Sequence, residues 1–128
     1  SVSSDEMGVE ILSNMLPYNV NSLSLSAASS ALERKDMVDE AVQKTIEERE
    51  YIEWELEDMG FNPLSSEANF VFARVPSGID PHELFEDLLE EGIRMRIFDD
   101  EVLKDHIRVT VATRKINNLF LDAVEDNI

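Results

Sequence analysis

The stretch GIRMRIFDDEVLKDHIRVTVATR, Gly92 to Arg114, sets three arginines close together in a chain of opposite charge. The protein has 28 Asp and Glu against 11 Lys and Arg, a formal net charge of −17. A guanidinium is a planar fork that binds a carboxylate or a phosphate through two parallel N–H donors. The segments around the arginines alternate with the period of two that a strand requires. In the first, Ile93, Met95 and Ile97 share a face, and Arg94, Arg96 and Phe98 share the other. In the second, Ile107, Val109 and Val111 lie opposite Arg108, Thr110 and Ala112. If the two strands are neighbours, Arg96 and Arg108 point the same way. Two such groups repel unless an anion lies between them. The competing reading is plain: any arginine here can find a carboxylate, and strand arginines often cover a solvent-facing side. The residues alone leave both open.

Other chemistry is easier to set aside. His82 and His106 have no second histidine at ligand spacing and the chain has no cysteine, so no metal site is expected. The acidic runs EDLLEEG and Asp99–Glu101 lack the glycine and spacing of a calcium loop. No glycine-rich phosphate loop is present. Ser22, Ser24 and Ser26 have no base nearby and suit a helix start better than nucleophilic attack. Lys35, Lys44, Lys104 and Lys115 stand in charged settings, none desolvated as an imine-forming lysine needs. No catalytic residue is therefore assigned. Tyr51 and Trp54 read as packing at the edge of a helix stripe, and Asn69 as satisfying backbone groups where a strand begins. The acidic surface argues against a nucleic-acid partner. No apolar run is long enough for a membrane span, and SVSSDEMGVEIL is unlike a signal peptide, so a cytoplasmic protein is expected.

The elements that must position these residues form a simple series. SLSLSAASSALE predicts a short helix over Leu23–Glu33, built from small residues. A long helix follows, from Asp36 as N-cap to Gly60 in a left-handed C′ position. Its stripe is Val38, Val42, Thr45, Ile52, Leu56 and Met59. ANFVFARVP is apolar on both sides and predicts an interior strand. In DPHE, Asp80 caps, Pro81 opens a helix and Glu83 completes a capping box. Leu84, Phe85, Leu88 and Leu89 are its buried stripe, and Gly92 ends it. Strands are predicted over Ile93–Phe98 and His106–Ala112. Thr113 caps a last helix carrying Ile116, Leu119, Phe120, Ala123 and Val124. This order predicts an α+β fold, a small antiparallel or mixed sheet with helices packed on it.

Four motifs, in order and at these distances, point further: LPYNVNSLS, GFNPLSSEANFVF, LLEEGIRMR and IRVTVATRKINNLFLDAV, the last with Asn117 and Phe120. They resemble the C-terminal small domain of histidinol-phosphate aminotransferases, fold-type I pyridoxal-phosphate enzymes. The resemblance covers about residues 16–127 and implies a small domain over 17–128. Residues 1–16 then read as a remnant of the junction with the large domain. It implies that Arg108 grips the α-carboxylate of the amino-acid substrate and that Arg96 lies near the phosphate end of histidinol phosphate. The two would read the two ends of a small dianionic substrate. Arg94 matches no functional position and reads as surface. Tyr18, Asn19 and Asn21 match the hinge between domains. Departures are Ala112, where glycine is common, and Lys115 and Ile116, where acidic residues often stand. Family members are about three times as long, and their Schiff-base lysine and cofactor-holding residues lie in the part absent here. The resemblance therefore implies a chain inactive by itself, with pyridoxal 5′-phosphate and a homodimer belonging to the intact enzyme and none of the cofactor bound here. It also implies an exposed apolar docking face, with the Leu23–Leu32 region and the arginine face of the sheet as the candidates. Small domains of other class I/II aminotransferases or of a threonine-phosphate decarboxylase-like enzyme share the carboxylate arginine. A free-standing binding domain for a small anionic amino acid is the reading from another class.

Overall fold

The computed structural model describes residues 4–14 and 20–128. It divides into two compact units, 1–39 and 40–128. The first holds helices α1 (Asp5–Ser13) and α2 (Ser22–Glu33) and the start of α3 (Lys35–Asp58). Each of the first two begins on a side-chain cap. Ser4 Oγ accepts from the Met7 N–H, and Asn21 Oδ1 accepts from the Ser24 N–H at 2.8 Å. Asn21, not a serine, is thus the cap of α2. No residue of α1 or α2 is buried.

The second unit contains β1 (Asn62–Pro63), β2 (Phe70–Arg74), α4 (Pro81–Glu90), β3 (His106–Thr110) and α5 (Arg114–Asp126), with most of α3. The three strands form an antiparallel sheet in the order β1-β2-β3, which removes the mixed-sheet alternative. β2 is the central strand, as its two apolar faces require. Val71, Ala73, Ile107 and Val109 project from one face of the sheet into a core completed by Ile52 and Leu56 of α3, Leu84 and Leu88 of α4, and Phe120, Leu121, Ala123 and Val124 of α5.

Helix boundaries follow local chemistry. Gly60 closes α3 at φ +87°, with the Phe61 N–H reaching back to the Leu56 carbonyl at 2.9 Å. Asp80 Oδ1 accepts from the His82 N–H at 2.8 Å and Pro81 takes the first turn of α4. Three expectations are corrected. Asp36 lies inside the first turn of α3 rather than capping it. Glu83 makes no return bond, and the Thr113 side chain makes no capping bond. The α3 stripe is buried only at Arg49, Ile52 and Leu56; Val38 and Val42 are exposed.

The largest correction concerns Ile93–Phe98. Only Arg96 pairs, in a single antiparallel bridge to Arg108; the rest is irregular. The chain leaves α4 at Gly92, φ +81°, and turns again from Asp100, so it runs beside β3 for one residue pair. Alternation still holds: Met95 is buried, while Arg94 and Arg96 are exposed. β3 also stops at Thr110 rather than Ala112, because the Asn117 side chain takes both backbone groups of Ala112.

Candidate functional site

The backbone of Arg96 donates to the Arg108 carbonyl at 2.9 Å, and that of Arg108 donates to Arg96 at 2.8 Å. Residues that exchange both bonds are directly opposed, so their side chains leave the same face. It is the face away from the helices. β2 and β3 set Phe72 opposite Arg108 and Phe70 opposite Thr110 on it. Phe72 stacks on His106 with ring centroids 5.0 Å apart and meets the edge of Phe98 at 5.5 Å. Each guanidinium lies over an aromatic ring, Arg96 at 5.6 Å from Phe98 and Arg108 at 5.1 Å from Phe70. Among the described residues neither guanidinium makes a side-chain hydrogen bond or ion pair, so their N–H donors face open space.

What the arginines lack is as informative. Arg49, Arg74 and Arg114 each meet a carboxylate. Among the described residues no carboxylate comes within 4.0 Å of the Arg94, Arg96 or Arg108 guanidinium. Among the described residues these three arginines are therefore exposed and without an ion-pair partner. Arg94, Arg96, Arg108 and Thr110 line one concavity of about 440 Å³, with Phe85 and Asp99 at its wall. Asp99 lies 3.5 Å from His82 Nε2. A second concavity of about 430 Å³ is formed by Ser65, Ser66, Phe70, Phe72, Phe98 and Arg108. Arg108 stands between the two. One side is cationic and the other aromatic with hydroxyls.

Two buried networks hold this face. Arg49, 9 % exposed, donates from Nη1 to the Ala68 carbonyl at 3.1 Å, and Ser66 Oγ accepts from the Ala68 N–H at 3.0 Å. They tie the loop before β2 to α3. Glu53 sits 3.6 Å from Arg49; burial pushes its carboxyl above the ordinary range, against the pull of Arg49 and with help from Glu50 and Glu57. In the other network Asn117, 2 % exposed, bonds the Ala112 N–H at 3.0 Å, the Ala112 carbonyl at 3.1 Å and Glu48 at 2.8 Å. Arg114 bonds Glu48 as well and lies 3.5 Å over the Tyr51 ring. Glu48 and Arg49 were not singled out in the sequence. A charged type hides both in the sequence: Arg49 sits on the buried stripe of α3 and Glu48 beside it, and only their tertiary partners make them important.

Of the remaining sequence-derived residues, Asn21 serves as the cap of α2 in the first unit, while Tyr18 and Asn19 lie outside the described residues. Arg94, read as surface, is exposed and lines the concavity with the other two.

Comparison with known proteins bears on the whole chain. The family model for aminotransferase class I and II matches residues 3–123. This chain belongs to that family. It is 31 % identical over 108 residues to the histidinol-phosphate aminotransferase of Brachyspira hyodysenteriae, covering 84 % of this chain and 30 % of the relative. The crystal structure of the histidinol-phosphate aminotransferase from Clostridium acetobutylicum superposes with a TM-score of 0.80 at 27 % identity, over 94 % of this chain and 37 % of that one. The enzyme of that name from Sinorhizobium meliloti, solved in complex with pyridoxal-5′-phosphate, shares the fold at a TM-score of 0.76, with 22 % identity over 91 % of this chain and 33 % of that one. The chain spans about 30 % of the length of the curated relative it matches.

An aminotransferase holds its cofactor through a lysine that can shed its proton, and the lysines here do not fit. Lys35 pairs with Asp39 at 2.8 Å, and Lys104 with Glu101 at 2.9 Å; both are open to solvent. Lys44 bonds Glu40 at 2.6 Å, which holds its ammonium above the usual lysine range, the opposite of what imine formation needs. Lys115 is exposed. Among the described residues no group of His, Cys, Asp and Glu could hold a metal ion, and no helix is long and apolar enough to cross a membrane.

Proposed function

We propose that the chain is the substrate-recognition small domain of a histidinol-phosphate aminotransferase, which moves an amino group between histidinol phosphate and 2-oxoglutarate. The observation that carries this reading is the pair Arg96 and Arg108, bridged backbone to backbone, sharing a concavity and left without carboxylates in a chain of charge −17. Arg108 would grip the α-carboxylate of the amino-acid substrate and Arg96 the phosphate end of histidinol phosphate. Forks held over aromatic rings need little reordering when an anion arrives. Residues 1–16 would belong to the junction with the large domain and 17–128 to the small domain, with Tyr18, Asn19 and Asn21 at the hinge. The imine-forming lysine and the cofactor would come from the remainder of the enzyme, itself a cytoplasmic homodimer, and the chain by itself would not transaminate.

The test is kinetic, in the full-length enzyme that carries this domain. Arg108→Ala should lower kcat/KM for every amino-acid substrate by on the order of 10²-fold, since truncating a desolvated ion-pair partner costs about 2–5 kcal/mol. Arg96→Ala should fall hardest on phosphorylated substrates. If Arg96→Ala treats glutamate and histidinol phosphate alike, another aminotransferase or a threonine-phosphate decarboxylase-like enzyme describes the chain better. An immunoblot of source cells settles the context: a band near three times this mass fits the small-domain reading, and a band at 14.6 kDa with no co-purifying large domain removes it.

A further inference from the structure

We propose that the outer face of α3 around Trp54 is a docking surface for an arginine-bearing segment of another protein. This face involves neither Arg96 nor Arg108. The sequence reads Trp54 as packing at the edge of a helix stripe, and the structure corrects this: Tyr51 is partly buried, while Trp54 is 61 % exposed. The reason is rotation. Trp54 stands two residues from Ile52 and two from Leu56, both fully buried, and a turn of 3.6 residues points it about 160° away from each. Glu50 lies four residues before it, and Glu57 and Asp58 three and four after, the positions that neighbour it on a helix surface. All three acids are exposed, and among the described residues none makes an ion pair. Between Lys44 and the end of α3 the one cation is Arg49, which is buried. A large apolar side chain is thus set among carboxylates with no cation beside it.

The same helix shows what such a setting holds. Tyr51 has Glu48 three residues before it and Glu55 four after, and there the place is filled. The Arg114 guanidinium lies 3.5 Å over the Tyr51 ring and bonds both oxygens of Glu48 at 3.0 Å. The ring face attracts the cation and the carboxylate takes its N–H donors. Three residues on, at Trp54, the aromatic and the carboxylates recur and the arginine does not. Indole is the best of the aromatic faces for a cation, and Trp and Arg are enriched among the side chains that anchor protein interfaces. Charge chooses the occupant. A second copy of this face would set Glu against Glu. A nucleic acid or an anionic lipid surface would be repelled by a chain of net charge −17. Lysine fits less well than arginine, because a point ammonium cannot stack on the ring while forking to a carboxylate.

Trp54 is the one tryptophan of the chain, so its fluorescence reports this face alone. The 128-residue protein is titrated with a hexa-arginine peptide in about 0.1 M salt, where exposed charges more than about 10 Å apart are largely screened. The emission is expected to shift and acrylamide quenching to fall, with hexalysine binding more weakly. Followed by calorimetry, Trp54→Ala, which leaves the net charge unchanged, should weaken hexa-arginine binding about tenfold. The pair Glu50→Gln and Glu57→Gln should weaken it by a similar factor. The pair Glu83→Gln and Glu86→Gln, the same charge change at exposed positions of α4, should change it far less. If Trp54→Ala binds as tightly as the parent, or if both glutamate pairs weaken binding equally, the peptide is answering overall charge and the proposal is wrong. If hexa-arginine binds the 128-residue protein through Trp54 but not the full-length enzyme, the remainder of the enzyme covers this face. The proposal is then wrong and the roles of Arg96 and Arg108 are untouched. Binding to both, weakened in both by Trp54→Ala, supports it.

Discussion

At the scale of single residues, the decisive feature is which polar groups find partners. Asn117 is the clearest. Three polar groups depend on it: the Ala112 N–H and carbonyl, at the turn that carries the chain from the arginine strand to α5, and the Glu48 carboxylate of α3. Asn117→Ala strands the Ala112 N–H and carbonyl in a buried place, at a cost of about 2–3 kcal/mol, and urea denaturation should show the midpoint falling with an unchanged m-value. Asn117→Asp should do no better, since it sets a second carboxylate against Glu48. Glu53 makes the opposite prediction. Its folded-state carboxyl is raised above the ordinary 4.5, mainly by burial, so the folded protein holds that proton to higher pH than the unfolded chain does. The neutral form is favoured, and the ionised one opposes folding once pH rises through that window. Glu53→Gln should therefore gain stability over the parent as pH rises above 4.5 towards 7, and the gain should fade below 4.5. A difference independent of pH would mean that burial and the Arg49 pairing cancel, and a loss growing as pH rises would mean that the pairing outweighs burial.

At the scale of elements, the helix-closing glycines and the Asp80 cap were legible, and the other caps and the strand pairings less so. Gly60 and Gly92 were read as helix terminators and both sit at positive φ. At Gly60 a Cβ would meet Pro76 at an ordinary 3.7 Å, so backbone conformation rather than space is the constraint. Gly60→Ala should cost about 1–2 kcal/mol, and thermal unfolding would detect it as a shift of a few degrees. No shift would mean that the α3–β1 turn relaxes to another geometry. The segment around Arg96 was read as a full strand because its side chains alternate. Alternation reports which side chains face the core; it does not report how many backbone bonds the neighbour offers. Here a sharp exit from α4 and the turn beginning at Asp100 leave room for one bridge. That bridge is nonetheless what sets Arg96 opposite Arg108.

At the scale of the whole molecule, charge and exposed apolar surface dominate. The ion pairs of Lys35, Lys44 and Lys104 are local and exposed, and such pairs contribute little to stability. A net charge of −17 leaves the folded chain self-repelling, so the melting temperature should rise as sodium chloride is raised from about 0.1 to 1 M, where the screening length falls from about 10 to 3 Å. A flat response would mean that the repulsion persists unchanged on unfolding. Leu23, Leu25 and Leu32 of α2 stand 60–80 % exposed, consistent with the apolar face expected there. The sequence by itself determined the α+β class, the helices from α2 to α5, the Asp80 cap and the closing glycines, the central strand and the alternation that puts Arg94, Arg96 and Arg108 opposite the core, because these depend on neighbours a few residues apart. It could not say whether the arginines would be neutralised. That question turned on which of 28 carboxylates came within reach, and only the tertiary structure, by pairing Arg49, Arg74 and Arg114 and leaving Arg94, Arg96 and Arg108 to one concavity, decided it.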